Sequence, residues 1–153
     1  MKKRVLAVVL VLVMVAGMFV GCAKQDAEWS IEIVGGKTDA FTSVDYEKLD
    51  EVEITAVMKK KTGTEVTQVW QGVKFADLVD AIGAVDYISI TVEAADGYAQ
   101  EYTSDIVNDD MTILGTVVDG EALGANQNWV QTVAGKYPGN MWIRDIVKII
   151  INK

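Results

Sequence analysis

Between Trp29 and Lys153 the chain is built of short runs in which apolar and polar residues alternate, and turn signals stop most of them. A period of two sends successive side chains to opposite faces of an extended strand. Such runs bury their apolar residues only by pairing into sheets with one face on a core. Residues 29–34 alternate and stop at Gly35-Gly36. Val52, Ile54, Ala56 and Met58 alternate with Glu53, Thr55 and Val57; Lys59-Lys60-Lys61-Thr62-Gly63 reads as a solvated turn, and residues 65–70 resume strand character. Residues 87–94 are β-rich, and Asp96-Gly97 is a hairpin signal joining them to residues 98–103. Residues 112–118 end in a turn of the same kind, Asp119-Gly120, and residues 129–133 and 142–151 complete the strands. Two segments read as helix. Residues 43–49 open with cap candidates. Phe75, Leu78, Val79 and Ile82 fall at i, i+3, i+4 and i+7, with Gly83 placed to end the helix. Many strands and few short helices predict an α+β fold with mixed, mostly antiparallel sheets.

The N-terminus follows a different logic. Lys2-Lys3-Arg4 precedes an apolar stretch over residues 5–20, and Phe19-Val20-Gly21-Cys22 closes it. A positive start, a short hydrophobic run and small residues read as a secretory signal over residues 1–21. The closing four residues resemble a bacterial lipobox, in which the processed Cys22 carries lipid. Only a thiol takes a thioether-linked diacylglycerol, and a small preceding residue admits the peptidase. The alternative, an uncleaved membrane anchor, needs about 20 apolar residues. The expectation is a lipoprotein: signal at 1–21, lipidated Cys22 with a polar tether over 22–28, and one domain over 29–153. Acyl chains on Cys22 would hold it in membrane lipid on the extracytoplasmic face. Pro138 is the only proline, so no Pro-rich linker marks a second domain.

Composition narrows the chemistry. The chain has no His, which excludes a His-based triad and His-ligated metals, and its single Cys excludes an internal disulfide and Cys-clustered zinc or iron–sulfur sites. It carries 14 Lys+Arg and 22 Asp+Glu. Without residues 1–21, which hold three cations and no acid, the balance is 11 − 22 = −11. A surface of that sign repels phosphate backbones, so nucleic acid is not an expected partner. A Ser nucleophile lacks an imidazole base, and no Ser-x-x-Lys is present.

Four segments over residues 70–149 follow one another in a recognisable order: Trp70-Gln71-Gly72-Val73 running into an amphipathic helix; a strand leading to Asp96-Gly97-Tyr98; Gly120-Glu121-Ala122-Leu123 after another strand; and Gly135-Lys136-Tyr137 followed by a terminal run from Trp142 to Ile149. The series resembles the oxidoreductase molybdopterin-binding domain family, the sulfite-oxidase-type fold, in a short form. The resemblance implies that fold, and in active members a cysteine thiolate on molybdenum near the end of the strand before Trp-x-Gly-Val. That position falls in residues 56–61, which hold Met58 and no Cys. A thioether is not the anionic donor a high-valent metal takes. Active members also use Arg and His for the pterin phosphate and substrate oxyanion. Here Arg144 is the only Arg beyond the signal, and the family's basic position falls near Val130. No cofactor is therefore expected, molybdopterin included.

Several residues remain as candidates. Trp129 and Asn128, beside Asn126-Gln127, and Lys136 and Tyr137, within residues 135–140, lie in loop-like segments and are the expected ligand-binding residues. Trp70 and Trp142 match family positions and read as structural. Glu101, Asp105, Asp109 and Asp110 suggest either calcium through hard oxygens or a helix start with acids at its positive end. Lys59-Lys60-Lys61 reads as a solvated hairpin tip or as a contact for anionic lipid or a partner. The expected function is a lipid-anchored, extracytoplasmic binding or accessory domain without catalysis, serving a small ligand or a membrane redox partner protein. The alternatives are a molybdopterin-dependent oxidoreductase with an atypical ligand set, and a surface adhesion or structural module.

Overall fold

The computed structural model describes residues 26–153. The expected signal at 1–21 and Cys22 lie outside the described residues. Two five-stranded sheets share one hydrophobic core. The first has the order β2-β1-β10-β5-β6 and consists of β1 (Ser30–Val34), β2 (Ala40–Thr42), β5 (Ser89–Ala94), β6 (Ala99–Thr103) and β10 (Ile146–Asn152). The second runs β3-β4-β7-β8, with β3 (Glu51–Lys59), β4 (Glu65–Lys74), β7 (Thr112–Val118) and β8 (Glu121–Ala122); β9 (Gln131–Ala134) also pairs with β7. Among the described residues only β1 and β10 pair in parallel. This is the expected α+β class with mixed, mostly antiparallel sheets.

Alternation places the strands as anticipated. Ile31 and Ile33 of β1 are buried between exposed Ser30, Glu32 and Val34, and Ile54 and Ala56 of β3 are buried between exposed Glu53, Thr55 and Val57. The Phe75–Ala81 helix buries Phe75, Leu78 and Val79 and packs on β4 and β7. It stops where Gly83 takes φ +69, a left-handed conformation that glycine adopts at no steric cost. The Ser43–Tyr46 helix is a single turn held by a capping box, in which Asp45 N–H donates to Thr42 Oγ1 at 3.4 Å and Thr42 N–H to Asp45 Oδ2 at 3.1 Å. It is shorter than the expected 43–49. Both Asp-Gly turns form hairpins. At the second, Asp119 and Gly120 both have positive φ, and Asp119 Oδ1 accepts from Val69 N–H at 2.8 Å, tying the turn to β4.

Two expectations are corrected. Residues 142–151 are not one strand. Thr132 N–H donates to Ile143 O at 2.9 Å, Ile143 N–H donates to Thr132 Oγ1 at 3.0 Å, and Arg144 bridges to Gln131, so residues 143–144 pair with β9 in the second sheet. Asp145 then takes φ +51, and the chain enters the first sheet as β10. One apolar run thus serves both sheets, a division that periodicity cannot show. The expected strand at 129–133 starts only at Gln131, because Asn128 and Trp129 both have positive φ, 46° and 63°. The two-stranded pairing of β2 with β1 had no signal beyond Gly35-Gly36.

Candidate functional site

A cleft of about 770 Å³ opens where the β3–β4 hairpin meets residues 138–142. Its walls come from two strand ends and the loop between β9 and β10. Met58 and Lys59 close β3, and Lys60 and Lys61 enter the turn, which is pinned by Lys60 N–H to Thr64 O and Gly63 N–H to Lys60 O, both 2.9 Å. Tyr98 follows the Asp96-Gly97 turn. Its hydroxyl donates to Asn140 O and accepts from Gln100 Nε2, both at 2.9 Å. Trp142 completes the wall; its Nε1–H donates to Ala134 O at 2.9 Å, and its ring stands at 84° to Trp70 with centroids 6.3 Å apart. Gly139 lets the opposing loop approach closely, since a Cβ there would lie 3.1 Å from both Lys59 O and Met58 Cγ.

Charge at the cleft is uneven. Lys59 Nζ is 3.0 Å from Glu65 Oε1. Lys60 and Lys61 are exposed and have no ion-pair partner among the described residues. Elsewhere Lys48, Lys74, Lys136 and Lys148 are each tied to a carboxylate.

The expected ligand residues do not come together. Trp129 lines a separate pocket of about 260 Å³ with Trp29, Tyr46, Thr116 and Leu123. There the Tyr46 hydroxyl bonds Glu51 Oε1 at 2.9 Å and Thr116 Oγ1 at 3.0 Å. Burial pushes its phenol well above the usual range, the Thr116 bond opposes this, and the Glu51 carboxylate adds to it. Asn128 is spent structurally, its Nδ2–H donating to Ile146 O. Lys136 pairs with Asp109 at 2.9 Å, and Tyr137 packs half-buried on the core. Trp70 and Trp142 are 2% and 5% exposed, as structural residues should be, yet Trp142 also lines the cleft.

The acidic candidates disperse as well. Ser89 Oγ–H donates to Glu101, Asp105 sits in the first turn of the Ser104–Val107 helix, and Asp110 pairs with Lys74 at 2.6 Å. No group of three or more potential metal-ligating side chains forms among the described residues. Sequence reasoning missed the convergence of Met58, Lys60, Lys61, Tyr98 and Trp142. Each of them lies near the end of an element or in a turn. Their meeting depends on how the two sheets stack, which no local pattern encodes.

No protein-family model matches the chain, and no curated protein matches it in sequence. Among solved structures it is similar to the crystal structure of the sulfane dehydrogenase SoxCD from Paracoccus pantotrophus, with a TM-score of 0.72 and 19% identity. The fold is of the sulfite-oxidase type. The likeness covers 82% of this chain and 38% of that one, so the chain spans well under half the length of its neighbour.

The group that such a fold implies is molybdopterin. The cleft at the end of β3 supplies one sulfur, the Met58 thioether, and it is lined by no Cys, His or Arg. The lysine ammoniums suit a phosphate, but a high-valent metal needs an anionic donor that this set lacks. The residues present do not fit the metal-bearing group.

Proposed function

We propose that this chain is a lipid-anchored, extracytoplasmic binding or accessory domain on a sulfite-oxidase-type scaffold, and that it does not carry out molybdenum chemistry. The cleft at the β3–β4 turn is its ligand site. The observation that carries this reading is the cleft's composition: cationic and aromatic walls around a lone thioether. Fold alone does not bring activity, which resides in the donors a site offers.

With the anchor at Cys22, the cleft would lie far from the lipid. Glu28 and Trp29 line the small aromatic pocket with Tyr46, whose hydroxyl bonds Glu51 at the start of β3. The cleft lies at the other end of that strand. Nine residues at the usual strand rise separate the two by about 30 Å. In this reading the cleft opens away from the lipid surface, where a diffusing ligand or the protruding part of a membrane redox partner reaches it.

The test is metal analysis of the full chain, purified from membranes of a host that makes molybdopterin. The expected result is no molybdenum above background. Stoichiometric molybdenum would overturn the proposal in favour of the second reading, an oxidoreductase with an atypical ligand set, which the sulfane dehydrogenase neighbour favours. Mass spectrometry of the same preparation should find Cys22 as an acylated N-terminus, and an unmodified Cys22 within an intact N-terminal segment would refute the anchor.

A further inference from the structure

The ligand of this cleft has a chemistry written in its walls. The volume of about 770 Å³ is that of a small-molecule site. Two adjacent ammoniums, Lys60 and Lys61, sit at its rim without counter-ions among the described residues, while Lys59 beside them is neutralised by Glu65 at 3.0 Å. Like charges side by side repel and give the hairpin nothing; a bound anion turns that repulsion into attraction from both. The chain as a whole is acidic, with 22 Asp+Glu against 14 Lys+Arg, so an anion is repelled from most of the surface and accepted here.

Below the rim the walls carry aromatic and apolar side chains. Tyr98 is 43% exposed, and its hydroxyl is already committed to Asn140 O and Gln100 Nε2, which fixes the ring and leaves it as the contact surface. Met58 and Trp142 continue that surface. Met58 pairs with Val66 in the β3–β4 register, and the same ribbon face carries Gln68 and Trp70, whose Oε1 and Nε1 are buried without a partner. Polar capacity is thus left over on the face that reaches the cleft.

We infer that the cleft binds a small organic anion, a flat apolar body bearing a phosphate or carboxylate head that Lys60 and Lys61 hold while the body lies against Tyr98, Met58 and Trp142. This inference rests on the reading of the cleft as the ligand site. It adds the ligand class, a metal-free aromatic anion, which is read from the cleft's own walls.

The test uses the full chain in a nonionic detergent, titrated with phenyl phosphate, benzoate, inorganic phosphate and benzyl alcohol and followed by tryptophan fluorescence. Phenyl phosphate or benzoate should saturate the signal, with inorganic phosphate weaker and benzyl alcohol weakest. Whichever head binds better identifies the head group. The double variant Lys60→Gln, Lys61→Gln should weaken the aromatic anion about tenfold, as should raising salt to about 1 M, where the Debye length falls to about 3 Å. Tyr98→Ala should weaken phenyl phosphate more than inorganic phosphate, whereas Lys153→Gln should change nothing. Exposed hairpin lysines are not needed for folding, and matching melting temperatures of the variants will verify this. Equal binding of benzyl alcohol, or anion binding indifferent to the lysines and to salt, overturns the inference. A metal-free chain that binds no aromatic anion refutes this inference alone, and molybdenum in the chain refutes the reading beneath it.

Discussion

Replacing Gly72 by alanine is the sharpest test of why this chain has this fold. Gly72 stands at the register shift between β4 and β7, after Gln71. A Cβ there would lie 2.1 Å from Leu114 O and 2.7 Å from Gly115 Cα, both backbone atoms of β7. No rotamer relieves a contact with backbone, so the strands must separate by about 1 Å to restore ordinary packing. β4 pairs with both β3 and β7, so separation there disturbs the middle of the second sheet. Overpacking of this kind costs about 1–3 kcal/mol, and weakening two ladder hydrogen bonds adds about 1 kcal/mol each. The sum, about 3–5 kcal/mol, is a large fraction of a domain's usual 5–15 kcal/mol.

Two comparison sites calibrate that figure. At Gly115 the Cβ would meet the Trp70 ring at 2.7 Å, a side chain that can shift only against Trp142, so Gly115→Ala should cost about 1–3 kcal/mol. At Gly120 nothing lies within 4 Å, but φ is +83°, and Gly120→Ala should cost about 1 kcal/mol of backbone strain. Urea unfolding followed by tryptophan fluorescence reads all three. With a slope of about 2 kcal/mol per M, Gly72→Ala should lower the midpoint by about 2 M at unchanged slope. A loss under about 1 kcal/mol, or a rank order with Gly120 above Gly72, would show that the close approach of β4 to β7 does not govern stability.

Other expectations follow from the polar contacts. Tyr102 is fully buried; its hydroxyl bonds Thr132 Oγ1 at 2.8 Å and donates to Met141 O, joining β6 of one sheet to β9 of the other. Tyr102→Phe should therefore cost about 1–2 kcal/mol in the same urea assay, and a neutral result would mean that water or Thr132 satisfies Met141 O instead. The Asp109 carboxyl, opposed by partial burial, is held below its usual 3.8 by Met111 N–H and by Lys136, and the Asp110 carboxyl is held below 3.8 by Lys74. A carboxyl that is more acidic in the folded state stabilises above its unfolded pKa, and this contribution fades as pH falls through the folded value. The melting-temperature gap between the wild type and Asp109→Asn should accordingly be present at pH 7 and shrink below about pH 4; a gap that persists at pH 2 would contradict the pairing.

Much of the fold was legible because its signals are local. Asp96-Gly97 and Asp119-Gly120 mark hairpins by composition, and the Phe75–Ala81 helix announces itself by spacing and by Gly83. The errors arose where one segment serves two environments. The apolar residues 142–151 split between sheets at Asp145, and residues 128–129 bend through left-handed conformations that an Asn-Trp pair does not advertise. The cleft was illegible for a related reason. Lys60, Tyr98 and Trp142 are far apart in sequence, each lies at the end of an element, and only the stacking of the two sheets sets their distances.

The same geometry explains why a recognisable pattern can report a scaffold without reporting its chemistry. Trp70, Gly72, Gly115 and Trp142 interlock: the Trp70 ring occupies the space a Gly115 Cβ would take, Gly72 lets β7 close over β4, and Trp142 braces Trp70 edge-on. Each of those residues is required by packing, whatever the cleft holds, since a larger group at either glycine collides with a neighbour. Tyr98 likewise braces Asn140 O through its hydroxyl. A motif that packing maintains reports the scaffold. The cleft residues Met58, Lys60 and Lys61 lie outside it, and fold alone does not say what they do. For this chain, function has to be argued from the residues that the fold does not need.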